Sequence, residues 1–151
     1  MIPCAKRQTM TTAKSEPRGW RNNNPLNIEY NPRNRWRGQT GSDGRFAIFA
    51  SREYGYRAAI VILRNYQRRY GLTTLTELIG RWCPPGEVGN NTPRYIRTVS
   101  ERGHLPTSEP LDLGNKSVVV RLLEAMTFVE CGRPGDEGAI KGAFEMLRYG
   151  D

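Results

Sequence analysis

The apolar positions of this chain recur with two different periods, and the change from one to the other falls near Ser51. Ahead of it, short stretches at residues 27–30, 35–39 and 45–49 read as extended, and Gly41-Ser42-Asp43-Gly44 supplies turn chemistry between the last two. Together they predict a small antiparallel sheet near the N-terminus. Beyond Ser51 the spacing becomes helical: Ala59, Ile62 or Leu63, Tyr66 and Tyr70 share one face, with Ser51 as N-cap and Gly71 just past the end. Thr74 and Glu77 form a capping-box pattern ahead of Leu78, Ile79 and Trp82, and Cys83-Pro84-Pro85-Gly86 stops that short helix. Thr92-Pro93 opens a third, with Ile96 and Val99 as its buried pair. Asn115 caps a fourth over residues 116–131, in which Val119, Leu122, Leu123, Met126 and Val129 keep the helical spacing as far as Gly132-Arg133-Pro134. Asp136 starts a last helix built on Ile140, Phe144 and Leu147. Five helices and one hairpin predict a mostly helical α+β domain over residues 18–151, behind a loose leader at residues 1–17.

Composition removes several kinds of chemistry. The chain has 151 residues, enough for one domain with a core. Its longest apolar run, residues 58–63, falls far short of the roughly 20 residues a membrane-spanning helix needs, so membrane insertion is not expected. Lys6, Arg7 and Lys14 have no apolar stretch behind them, which leaves no Sec signal peptide. Cys4, Cys83 and Cys131 are too few and too far apart for a disulfide framework, and no pair has zinc-ligand spacing. A single histidine, His104, argues against a catalytic triad and against a His-based metal site. No glycine-rich phosphate loop follows a strand, so neither a nucleotide nor another cofactor is expected. Carboxylates remain as the groups able to do chemistry at neutral pH.

Among them Glu130 is the first candidate. It ends a largely apolar helix, directly after Phe128 and Val129, where packing and the negative end of the helix dipole both disfavour ionisation of a carboxyl group. Such a group suits a general acid; the plain alternative is a solvated Glu at a frayed helix end. Glu53 is the second candidate, although a Glu in a first helical turn is also what capping alone would place there. Glu29 and Asp43 lie on the expected sheet and its turn, and ordinary exposure explains them equally well. Asn22, Asn23, Asn24 and Asn27 carry amides that could bind hydroxyl and N-acetyl groups of a glycan, or could simply brace a tight loop. Trp20, Tyr30, Trp36 and Tyr54 could stack on sugar rings or belong to the core.

The excess of 23 Lys and Arg over 15 Asp and Glu, a net charge of +8, favours polyanionic partners in general. Arg33, Arg35 and Arg37 alternate in one segment, and Arg64, Arg68 and Arg69 share a helical neighbourhood. Neither a recognition helix nor an RNA-binding sheet motif accompanies them, which speaks against nucleic acid.

Several motifs, taken in order, are similar to one family. Arg18-Gly19-Trp20-Arg21-Asn22-Asn23-Asn24-Pro25-Leu26-Asn27-Ile28, Trp36-Arg37-Gly38-Gln39, Phe46-Ala47-Ile48-Phe49, Glu53-Tyr54-Gly55-Tyr56-Arg57-Ala58 and Tyr66-Gln67-Arg68-Arg69-Tyr70-Gly71-Leu72 resemble the phage virion-associated, lysozyme-like structural proteins. The resemblance continues through Arg81-Trp82-Cys83-Pro84-Pro85-Gly86-Glu87, Tyr95-Ile96 and Pro110-Leu111-Asp112-Leu113, and covers roughly residues 18–132. It implies a lysozyme-like fold, peptidoglycan glycan strands as target, other virion proteins as partners, and action at the bacterial cell wall by a virion or prophage product. The family's closing His-Glu-Asn-Gly type motif has its counterpart in Val129-Glu130-Cys131-Gly132, with His and Asn replaced. Bacterial glucosaminidases and lytic transglycosylases carry their catalytic Glu before an Asn-rich segment, whereas here the Asn segment comes first, which suggests a circularly permuted relative.

These readings combine into an expected monomeric muramidase or lytic transglycosylase that cleaves the β-1,4 bond between N-acetylmuramic acid and N-acetylglucosamine. Glu130 would be the acid; Glu53, or the substrate's own acetamido group, would meet the developing positive charge. Asn22, Asn23, Asn24 and Asn27 would orient the glycan, Trp36 and Tyr54 would line a subsite, and no metal is required. The alternative is a non-catalytic virion or wall-binding protein on the same scaffold. On the permutation hypothesis, Glu130 packs against the Asn-rich loop.

Overall fold

A computed structural model describes residues 16–148. Six helices and two strands follow in the order α1 (Arg18–Arg21), β1 (Gln39–Ser42), β2 (Ala47–Phe49), α2 (Arg52–Tyr70), α3 (Leu75–Trp82), α4 (Thr92–Gly103), α5 (Lys116–Cys131) and α6 (Glu137–Arg148). The fold is therefore mostly helical, with one small antiparallel sheet, as the α+β reading expected. Most of the expected leader lies outside the described residues, but Pro17 is buried and its carbonyl accepts the Arg21 amide at 3.0 Å.

The centre of the core is α2. Ala58, Ala59, Ile60, Leu63 and Tyr66 are buried along it, and α6, α3 and β2 pack around it. Ser51 flanks its start in an extended conformation, and Gly71 ends it at φ 66°, a left-handed position where glycine carries no Cβ penalty. Tyr70, expected on the buried face, is 53% exposed; its ring instead lies 4.0 Å from the Arg81 guanidinium. Four residues past Tyr66, one turn on, the buried stripe of α2 has already ended.

Local signals place the remaining helices. Thr74 accepts the Glu77 amide while the Glu77 carboxylate accepts the Thr74 amide, a complete capping box at the start of α3. Thr92-Pro93 opens α4 behind an Asn91 cap, and the buried positions of this helix include Tyr95 and Val99; Ile96, expected as part of the buried pair, is only half-buried. The 100° step per residue puts Tyr95 and Val99 on one stripe and turns Ile96 to its margin. Asn115 caps α5, which buries Val119, Leu122, Leu123, Met126 and Val129 between α4 and α6 and stops at left-handed Gly132. The Asp136 carboxylate accepts the Ala139 amide at 3.0 Å and opens α6.

Two of the three expected extended pieces differ from what forms. Residues 27–30 make only an isolated bridge, Glu29 with Phe46, although the Ala47 amide donates to Ile28 O and Tyr30 to Arg45 O. Residues 35–38 are not extended: Asn31 accepts the Arg33 amide and starts a run of turns, so β1 begins at Gln39 and pairs with β2 through a bulge near Gly41. Gly41 and Ser42 belong to β1 itself, leaving Asp43 and Gly44 to the turn. Residues 18–21, read as loop, form one helical turn. Cys131 is a free buried thiol and Cys83 is disulfide-bonded; Cys4 lies outside the described residues. No helix among the described residues is long and apolar enough to cross a membrane.

Candidate active site

Of the four asparagines, Asn27 bonds Glu130, and the other three brace the loop and tie it to the hairpin. Asn24 is fully buried; its amide donates to Ile28 O and Ala47 O, each at 2.9 Å, and its carbonyl accepts the Ile28 amide at 2.9 Å. Asn23 donates to Phe49 O at 3.1 Å, and Asn22 to the Asp43 carboxylate at 2.9 Å. Asn23 and Asn27 hold φ values of 53° and 55°, a region that asparagine tolerates better than other residues with a side chain. The turn is tight enough that a Cβ on Gly19 would lie 2.5 Å from Asn27 Oδ1 and 2.7 Å from Asn24 O. Gly55 is equally constrained, since a Cβ there would sit 2.2 Å from Asn23 O.

Asn27 faces the other way, toward the last turn of α5. Its Nδ2 donates to Glu130 Oε1 at 3.1 Å, across 103 residues of sequence. Glu130 is fully buried, and two further groups reach its other oxygen: Tyr95 OH donates to Oε2 at 2.9 Å and Trp82 Nε1 at 3.3 Å. The carboxyl group thus meets the Asn loop, the end of α3 and the first turn of α4. All three side chains act as donors toward it, the complement of carboxylate lone pairs. Burial, followed by the adjacent Glu130 charge, holds the Tyr95 hydroxyl well above its ordinary pKa. The same two causes push the Cys131 thiol up to about 12, so it stays protonated and donates to Pro25 O at 3.2 Å. That bond fixes the loop to α5 one residue beyond the acid.

The other candidates are dispersed. Glu53 lies on the first turn of α2 against α6, where a Cβ on Gly142 would be 3.1 Å from its Cγ. Glu29 pairs with Arg45 at 3.1 Å. Asp43 resists ionisation through partial burial, but the Arg18 guanidinium, the Phe46 and Arg45 amides and Asn22 outweigh this and hold it far below the usual carboxylate range. Trp36 and Tyr54 are partly buried against the core. Gly38, at φ 79°, lies on the Tyr54 ring, where any Cβ would overlap it. Trp36 lines a groove of about 320 Å³ with Tyr30, Tyr66, Glu29 and Arg81; Tyr54 does not. Trp20 is buried, with the Arg52 and Arg133 guanidiniums 3.8 and 3.9 Å from its ring centroid. Among the described residues, no group of three or more His, Cys, Asp or Glu side chains could hold a metal ion.

Sequence reasoning took Trp82 as helix-face packing and did not single out Tyr95. A usable signal existed: a buried indole N–H and a buried phenol each require an acceptor, and a fully apolar helix end offers few besides Glu130.

What fold and site define together is a mostly helical domain in which an Asn-rich loop and two aromatic donors reach a buried Glu in the last turn of α5. No protein-family model matches the chain. Protein P5 of Pseudoalteromonas phage PM2 is 34% identical over 145 residues, spanning 93% of this chain and 88% of that protein. The chain belongs to the family of this phage protein.

Proposed function

We propose that this phage-family protein cleaves peptidoglycan glycan strands, with Glu130 as the general acid. The observation that carries the reading is the bond between Asn27 and Glu130, which joins an amide-rich loop to a sheltered acid at a helix end. Sheltering matters because a general acid works where water does not compete for its proton and where its position is fixed. Substrate would have to displace the Trp82 or Tyr95 side of the enclosure for the acid to reach a glycosidic oxygen. That requirement makes the enclosure a device for admitting a glycan and excluding water.

Glu29 and Asp43 are held by arginines, which leaves the substrate's own acetamido group as the simpler partner for the developing charge. This favours the transglycosylase form of the chemistry over hydrolysis by a carboxylate pair. In that form Glu130 gives its proton to O4 of the departing N-acetylglucosamine as the C1–O4 bond breaks. The muramyl 6-hydroxyl then bonds to C1, and its proton returns to Glu130, so no water is consumed. The substrate's acetamido group meets the charge at C1 between these steps.

The second reading, a non-catalytic component of the virion that binds wall or other virion proteins, has its own observation. Glu130 is wholly buried and holds three donors, as a structural network would. One experiment separates the two. Purified peptidoglycan is incubated with wild type and with Glu130→Gln, and soluble products are identified by mass spectrometry. Released muropeptides with 1,6-anhydro ends from wild type, lost in a Glu130→Gln protein whose melting midpoint falls by no more than a few degrees, support the transglycosylase. Reducing ends would mean hydrolysis. No release from wild type leaves the virion component as the function.

A further inference from the structure

We propose that the groove beside Trp36 is a binding site for the carboxylate-bearing muramyl sugar, with Arg81 as the residue that recognises the carboxylate. This deepens the glycan-cleaving reading and rests on it. The groove, about 320 Å³, is walled by the rings of Tyr30, Trp36 and Tyr66 and by Glu29, Asn34 and Arg81. Its size is that of a small-ligand pocket, and rings interleaved with amides are what a pyranose needs, apolar faces for C–H surfaces and polar edges for hydroxyls.

Arg81 supplies the specificity. Its guanidinium lies 5.1 Å from the Tyr66 ring centroid and 4.0 Å from that of Tyr70. Several arginines elsewhere on the surface are matched with acids, Arg18 with Asp43, Arg45 with Glu29, Arg52 with Asp136 and Arg102 with Glu124. Arg81 forms no such pair with a described residue; two tyrosines hold it in place by cation–π attraction and leave its charge uncompensated. A half-buried, pre-positioned guanidinium without an acid partner selects a ligand carboxylate. The acid in the same wall, Glu29, is already neutralised by Arg45 and opposes a chain of phosphates more than a single carboxylate. That favours a muramyl group over single-stranded nucleic acid, which aromatic rings and arginine would otherwise also suit.

The groove and the enclosed acid share their framework. Ile28 and Arg81 line the groove, and their chain neighbours Asn27 and Trp82 are the residues that bond Glu130. A muramyl ring seated against Arg81 therefore bears on both elements that cover the acid.

The test uses the full-length protein and isothermal titration with four probes. They are chitobiose, the N-acetylglucosaminyl-N-acetylmuramic acid disaccharide with its free lactyl acid, the same disaccharide carrying a dipeptide stem, and a dT12 oligonucleotide. Wild type is expected to bind both muramyl probes about tenfold more tightly than chitobiose, the gain a charge-assisted pair gives. A preference for only one of the two identifies the lactyl or the stem-peptide carboxylate as the group read. Arg81→Gln should erase the preference for the muramyl probes over chitobiose, Arg81→Lys should restore part of it, and Trp36→Ala should weaken all saccharides alike. Equal affinity of wild type for chitobiose and the muramyl probes, a preference that survives Arg81→Gln, or tighter binding of dT12 overturns the proposal. Glu130→Gln separates the two claims. Muramyl selectivity in a wild type that releases no muropeptide keeps the groove and removes the catalysis; release without selectivity does the reverse.

Discussion

Two kinds of carboxylate sit on the same helix pair, α4 and α5, and they are stabilised in different ways. Glu124, on α5, lies near the surface and takes a two-pronged pair from Arg102, at 2.9 Å on each oxygen. Six residues on, Glu130 is fully buried, and an amide, an indole and a phenol are among the groups that bond it. Near water an arginine partner costs little to hold. In the interior a second ion would have to be desolvated as well, so neutral donors are the cheaper complement. The consequence concerns function: Glu124 is held as an anion by its arginine, whereas Glu130 sits among protein donors away from water, where a general acid would be positioned.

The sharpest way to break this contrast is to truncate the buried member. Glu130→Ala leaves Asn27, Trp82 and Tyr95 without their acceptor in the interior, and should cost about 3 kcal/mol, since each orphaned buried donor is expensive. Denaturant titration reads it directly. A loss below about 1 kcal/mol would mean that the enclosure is open to water.

Smaller, but more specific to the loop, is Gly19→Ala. The added Cβ would press on Asn27 Oδ1 and Asn24 O, and the expected cost is about 2 kcal/mol, within the usual range for overpacking. Because the methyl group strikes Asn27, muropeptide release should fall more than stability predicts. Unchanged release at a lowered melting midpoint would show that Asn27 does not position the acid.

The sequence made the helices readable and the enclosure only half so. Asn115 and Gly132 bracket α5 closely, and Thr74 with Glu77 announces α3, because caps are satisfied within four residues. Glu130 and Asn27 could be suspected separately, from residue type and place in the pattern. Their contact came only from the family resemblance, since nothing local joins positions 103 apart. Trp82 and Tyr95 escaped for a different reason: on a helical wheel an aromatic on the buried stripe looks the same whether or not its polar tip has a partner. The turns at residues 31–38 were masked by alternating Arg33, Arg35 and Arg37, whose period of two imitates a strand although exposure, not a sheet face, sets it.

The pH dependence separates the two kinds of carboxylate further. Asp43 and Glu124 have depressed folded pKa values, so the stability they add is complete above the unfolded value, about pH 4, and is lost as pH falls through the folded one. Asp43→Asn should cost about 1 kcal/mol at pH 7 and flatten the acid limb of the stability curve between pH 4 and 2. On the alkaline side the sign reverses. Tyr56, raised to about 12 by burial, keeps its proton when folded, so its contribution is full below pH 10 and disappears as pH rises toward 12. Tyr56→Phe should remove that alkaline loss in a melting series.

The smallest expected effect is at the surface pair itself. A double-mutant cycle on Arg102→Gln and Glu124→Gln isolates their coupling from the other contacts each makes, Arg102 on the Phe128 ring at 4.1 Å and Glu124 with the Gly135 amide at 3.0 Å. With side chains 32% and 17% exposed, the coupling should be about 0.5 kcal/mol and should shrink further in 1 M salt, where screening acts within about 3 Å. Salt should leave the Glu130→Ala loss untouched, because the enclosure is buried and out of reach of counterions. If both losses fell together with salt, the enclosure around Glu130 would be as open to counterions as the surface pairs, and the contrast between the buried and the surface carboxylate would collapse.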